Sequence, residues 1–244
     1  MPLDVTYNFT DPVVLTFVVM PVLLVATLLS LVSFAARQLE EAVSTRRRAM
    51  TITAAVAAAW MTATWIAAAR GVLRDWDATP PPLGLLVAGV IIVAGLIASG
   101  SYGRRLATGV PLWILVGVQA FRLPLELAMH ALYERGIMPV QMSYSGRNFD
   151  ILTGLTALVV AALLKRGWVG NKIVLLWNVL GLMLLVNVVT IALLSTPRFR
   201  YFGDTALNVF VTYPPFVWLP AVMVVAALAG HLLIFRAQRR SKLT

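Results

Sequence analysis

The sequence predicts an all-α membrane protein, a bundle of seven transmembrane helices with its N-terminus outside and its C-terminus cytoplasmic. Three observations predict it. Hydrophobic residues make up 60% and charged residues 12% of the 244-residue chain, against roughly half and a quarter in soluble domains. Seven apolar stretches read as long enough to span a bilayer, which takes about 20 residues each. Lys and Arg collect at alternate ends of those stretches. Spans and short loops use up the chain, so 1–244 reads as a single polytopic domain.

The first span, about 13–35, follows Asp4 and Asp11, acids where a signal peptide would carry Lys or Arg. Its apolar run is also too long for a signal peptide, so it reads as a retained helix. The second, about 49–69, repeats Ala55, Ala59, Ala63 and Ala67 at every fourth position. Small residues at that spacing let helices approach closely in lipid, so this face reads as a packing seam. Pro80, Pro81 and Pro82 form a rigid stop before the third span, about 83–100. Ser101 to Arg105 reads as a turn with two basic anchors. The fourth span, about 111–135, is followed by a long polar connection and a short fifth span, about 150–164. The sixth, about 173–195, carries Asn178 and Asn187, and the seventh, about 215–235, carries Trp218, Pro220 and His231. No internal repeat is visible, so an inverted-repeat transporter is not supported.

Short cytoplasmic loops carry an excess of Lys and Arg. With the N-terminus outside, the inner segments hold 13 of them: Arg37, Arg46, Arg47 and Arg48; Arg104 and Arg105; Lys165, Arg166 and Lys172; then Arg236, Arg239, Arg240 and Lys242. The outer segments hold 6, namely Arg70, Arg74, Arg135, Arg147, Arg198 and Arg200. That asymmetry sets the expected orientation.

Several function classes drop out. The chain has no cysteine, which removes disulfides, thiolate nucleophiles and Cys-type metal sites. The net charge of +10 sits at span ends, where it faces anionic lipid headgroups, and no basic helix interleaved with aromatics suggests nucleic acid. No lysine lies inside a span to carry a retinal Schiff base. No cofactor and no metal is implied.

The fourth span holds the candidate site. At about 100° per residue, Gln119, Arg122, Glu126, His130 and Tyr133 fall within an arc of about 80° on a helix otherwise made of Leu, Ala, Phe and Met. Ionisable groups inside a membrane are costly, so such a stripe needs partners or water. Arg122 and Glu126 are i and i+4 and can pair; Asp150 and Asn187 are the other candidate partners for Arg122. Pro124 lies between the two charges and predicts a kink. Glu126 and His130 share the same spacing and can exchange a proton, or with Asp150 touch one metal. Arg147, Asn148 and Asp150 open the fifth span from a glycine turn, where Asn148 or Asp150 can serve as the helix N-cap. His231 reads as an interfacial residue about one turn from the cytoplasmic end, at the wrong depth to join His130.

The segment Phe121, Arg122, Pro124, Glu126 and His130, with Gly146 to Gly154, resembles a family of small bacterial polytopic inner-membrane proteins. The resemblance extends to Pro215–Pro220 and His231. It implies a bacterial cytoplasmic membrane and no particular chemistry. From the residues, the expected function is an outward-facing polar intramembrane pocket that binds or moves a small solute or protons. Arg122 would be the anchor, Glu126 and His130 the proton pair, and Arg147 and Asp150 the gate. Alternatives are an intramembrane hydrolase-type enzyme, metal-assisted or not, and a scaffold subunit whose stripe meets a partner helix or a second copy.

Overall fold

A computed structural model describes residues 5–240; Asp4 and Lys242, counted above, lie outside them. Every regular element among the described residues is helical. Helix α1 (Pro12–Gln38) starts where Asp11 accepts the Val13 N–H at 2.8 Å and Pro12 supplies a pre-set first turn. Helix α2 spans Val43–Ala69. It starts earlier than hydropathy suggests, because Arg46, Arg47 and Arg48 are good helix formers whose charge does not interrupt the backbone ladder. Helix α3 (Pro82–Ala98) is followed by α4 (Gly100–Gly109), bent from it by 58°. The expected turn at Ser101–Arg105 is therefore a helix. Short sequences rich in Gly and Arg show no hydropathy signal even when helical.

Helices α5 (Leu112–Val118) and α6 (Arg122–Glu134) form one rod joined by a 3-10 turn at Gln119–Phe121. The irregularity expected at Pro124 thus falls one turn before it, where a helical i−4 partner would have been Ala120. Helix α7 (Ile151–Lys165) is short, and α8 spans Asn171–Leu194. A π-helical stretch, Leu219–Val224, opens around Pro220 and leads into α9 (Val225–Arg240).

Five helices are long and apolar enough to cross a membrane, or six if the bent α3–α4 pair is one span; Ile151–Lys165 is a shorter apolar helix. Large apolar side chains such as Leu23, Ile92, Leu96, Leu158, Leu176 and Met183 point outward, the arrangement expected where the surroundings are lipid. Helix α9 runs through the middle of the bundle, with more of its surface covered than the other long helices. Its Ala227, Ala229 and Gly230 let α3, α5 and α8 close on it. The alanine ladder of α2 behaves differently from expectation. Ala55, Ala59 and Ala63 are exposed, and α2 packs through Trp60, Thr64 and Ala68 instead. Trp60 donates its indole N–H to the Ala221 carbonyl at 2.7 Å, a large side chain with a polar handle outweighing small-residue packing.

Four apolar clusters form among the described residues, and two of them are large. One is built around Phe17, Leu132, Phe210 and Phe216, the other around Val32, Leu106, Val116 and Ile234. Along the α5–α6 rod, Gln119 and Arg122 fall between Val116 of the second cluster and Leu125 of the first.

A buried ion network as candidate functional site

Arg122 opens α6 and is 1% exposed. Its Nε donates to Asp150 Oδ2 at 2.6 Å, and its Nη2 pairs with Asp150 Oδ1 in the same fork. An Arg is always charged, and planar bidentate pairing with a carboxylate is the geometry best suited to it. Of its three candidate partners the structure selects Asp150. Glu126 and Asn187 make other bonds.

Asp150 stands at the first position before α7 yet makes no N-cap bond with its side chain. The carboxylate turns inward to Arg122, and the Thr153 hydroxyl donates to it at 3.4 Å. Asp150 is 3% exposed, so it lies inside the network and not at a mouth. Glycine makes this approach feasible. A Cβ at Gly154 would run into the backbone of Arg122 and Leu123, so α7 can touch α6 only because that side chain is missing.

The third donor of the guanidinium corrects the expectation for His231. Arg122 Nη1 lies 2.8 Å from His231 Nε2, and His231 is fully buried. The helix that carries it runs on to Arg240, not to about 235, so His231 sits more than two turns from its end. Arg122 is about as far into its own rod, which starts at Leu112. The polar end of α9 stays helical because it has acceptors at neighbouring helix ends. Arg236 donates to the carbonyls of Ala98 and Gly100 at 2.7 and 2.9 Å, and Gln238 donates to that of Asn171 at 2.8 Å.

A guanidinium has donors only, so His231 Nε2 must accept. The ring proton is then on Nδ1, which donates to Asn178 Oδ1 at 2.8 Å. Asn178 in turn donates Nδ2 to the His231 carbonyl at 3.1 Å. The bonds fix one tautomer, and it is neutral. Gly181 permits the arrangement, since a Cβ there would stand 2.8 Å from the His231 ring and 2.9 Å from Thr153.

Glu126 is 2% exposed, and its Oε2 accepts from Asn148 Nδ2 at 2.7 Å. Asn148 also donates to the Met142 carbonyl at 3.0 Å and accepts the Asp150 N–H at 3.0 Å. It therefore ties the loop, Glu126 and Asp150 together. Gln119 is buried against α9 and donates to the Ala227 carbonyl at 3.2 Å, while its Oε1 has no partner.

The outer members of the stripe belong to the loop. His130 is only partly covered; its Nδ1 lies 2.8 Å from Ser143 Oγ, and its ring stacks on Tyr144. Tyr133 is half-buried, with its ring 5.7 Å from that of His130. Arg147 is exposed over the Phe202 ring, and Asn187 donates to the Arg147 carbonyl at 2.9 Å. Glu126, His130 and Asp150 thus bond to Asn148, Ser143 and Arg122 and do not converge as ligands. Among the described residues no three His, Asp or Glu side chains are grouped to hold a metal ion.

Sequence reasoning missed Thr153 and the roles of Asn178, Ser143 and His231. The available signal was the presence of an Asn and a His on otherwise apolar helices, which on its own does not say where they face. No family model, curated protein or solved structure matches this chain. The class defined by fold and site is a helical bundle with several membrane-crossing-type helices and an ion network at its centre.

Proposed function

We propose that this is a seven-crossing protein of the bacterial cytoplasmic membrane, N-terminus outside, whose central network binds a proton and serves to bind or move protons, alone or with a small solute. One observation carries the reading. The network contains one guanidinium, Arg122, and two carboxyl groups, Asp150 and Glu126, all buried, while the bonds of His231 keep it neutral. One carboxyl is therefore in excess of the positive charge. Burying an uncompensated carboxylate costs several kcal/mol, which a single amide donor from Asn148 does not offset. A proton on Glu126, whose carboxyl lies outside the Arg122–Asp150 fork, removes that cost. His130 lies one turn beyond Glu126, where the proton would meet the loop surface.

Reconstitution into vesicles loaded with a pH-sensitive dye tests this. An imposed gradient should drive proton entry, lost in Glu126→Gln and kept in Asn187→Ala. Infrared difference spectra should show a protonated-carboxyl band that disappears in Glu126→Gln. Flux that survives Glu126→Gln sinks the assignment. A second reading has support in the complete pairing of the guanidinium, namely that the network only clamps the helices. It prevails if the wild-type chain carries no flux and Glu126→Gln alters stability alone. The cysteine-free chain suits topology mapping: Arg147→Cys should react with an impermeant maleimide from outside, and protection there would overturn the orientation.

A further inference from the structure

A second polar cluster lies where the loop after α6 folds back on His130, outside the ion network. Ser143 Oγ is 2.8 Å and Ser145 Oγ 3.3 Å from the same ring nitrogen, Nδ1. On the other side of the ring, Nε2 is 3.7 Å from Glu134 Oε1. Tyr144 stacks on the imidazole with ring centroids 4.3 Å apart and planes 27° apart, which fixes the ring plane. We propose that His130 activates Ser145 as the nucleophile of an acyl-transfer site for carboxylic esters with an apolar acyl chain.

The hydrogen bonds favour the tautomer a base needs. Ser143 Oγ already accepts the Ser145 backbone N–H at 3.2 Å, so its own proton is free to go to Nδ1. An accepting Nδ1 leaves the ring proton on Nε2, facing the Glu134 carboxylate. A hydroxyl beside a histidine, and that histidine beside a carboxylate, is the general arrangement for activating a serine. The two serines differ in access. Ser143 is fully buried, whereas Ser145 is exposed, so Ser145 is the one a substrate can reach and Ser143 is a positioning residue. Val140 and Phe149, apolar and exposed on the same loop, suit an apolar acyl group.

In the reaction, the Ser143 hydroxyl turns its proton away from Nδ1, and Ser145 Oγ bonds to the ester carbonyl carbon as its proton passes to the freed His130 Nδ1. The Ser143 oxygen and the Glu134 carboxylate then hold the imidazolium. The bond to the leaving alkoxide breaks, and that oxygen takes the proton from Nδ1. Water attacks the acyl-serine by the same route. The sum is ester plus water giving acid plus alcohol, with Ser145 regenerated.

The full chain in detergent micelles is treated with an alkyl fluorophosphonate and mapped by mass spectrometry, alongside hydrolysis of p-nitrophenyl butyrate. The expected adduct is on Ser145 and is abolished by prior heat denaturation. Ser145→Ala should remove both readouts. His130→Asn should slow them by about 100-fold or more, the usual contribution of a general base, and Glu134→Gln should move the pH profile of hydrolysis. Labelling of folded protein no faster than at the exposed Ser101, or equal labelling in a folded His130→Asn protein, overturns the proposal. So does an adduct on Ser143 in place of Ser145.

Discussion

Removing the Asp150 charge tests whether Glu126 is electrically coupled to Arg122. Asp150 supplies both oxygens of the fork that receives Arg122 Nε and Nη2. Breaking a buried ion pair from one side costs about 3–5 kcal/mol. In Asp150→Asn one acceptor survives, and Glu126, one turn along α6, can take over as counterion. The cost should then lie near the lower limit, about 3 kcal/mol. Glu126→Gln alone leaves the Arg122–Asp150 fork whole and should cost about 1 kcal/mol, the worth of the altered bond to Asn148. With both substitutions the guanidinium has no carboxylate left. The double variant should exceed the sum of the singles by about 1–3 kcal/mol, as groups sharing one network do. Unfolding by SDS in mixed micelles, followed by tryptophan fluorescence, measures all four corners of the cycle. Additivity to within about 0.5 kcal/mol would refute the argument, because Glu126 would then carry no charge linked to Arg122.

Three further outcomes follow from the same geometry. Gly154→Ala should destabilise by about 1–3 kcal/mol, since the new Cβ meets α6 backbone that cannot yield without moving Asp150 from Arg122; a thermal midpoint equal to wild type would contradict the close approach. His231→Ala strands the Arg122 Nη1 donor and should cost about 1–3 kcal/mol, with His231→Gln recovering part of it because its amide oxygen can accept; no recovery would question the tautomer. Asp11 receives the Arg135 Nε at 2.8 Å, and that bond holds its carboxyl below the usual carboxylate range. A depressed pKa adds stability above the unfolded value, about 3.9, and loses it as pH falls through the folded value. The wild-type and Arg135→Ala unfolding profiles should therefore converge below about pH 4, by a small amount because the pair is exposed.

Much of the architecture was legible locally. Apolar runs marked α1, α3, α7 and α8 to within a few residues, with Pro12 and Pro82 at the starts of the first two, because hydropathy reads side chains that end up facing outward. Boundaries failed where charged residues continue a helix, at the start of α2, across α4 and at the end of α9. In each case backbone hydrogen bonding does not depend on the charge that hydropathy counts. The error at α9 mattered most, because it placed His231 near a surface when it touches Arg122.

The sequence by itself determined an all-helical bundle and a polar stripe on the fourth span. Both follow from composition and from helical spacing, which are properties of neighbouring residues. Gln119, Arg122 and Glu126 do share the buried face that the spacing required. Which partner Arg122 takes was decided by tertiary structure. Glu126 has the right local spacing, but Asp150 comes in front of the guanidinium because Gly154 lets α7 reach the α6 backbone. His231 completes the site from the far end of the chain because Gly181 leaves room for its ring. Spacing along one helix sets what can meet; the approach of separate helices, governed by single missing side chains, sets what does.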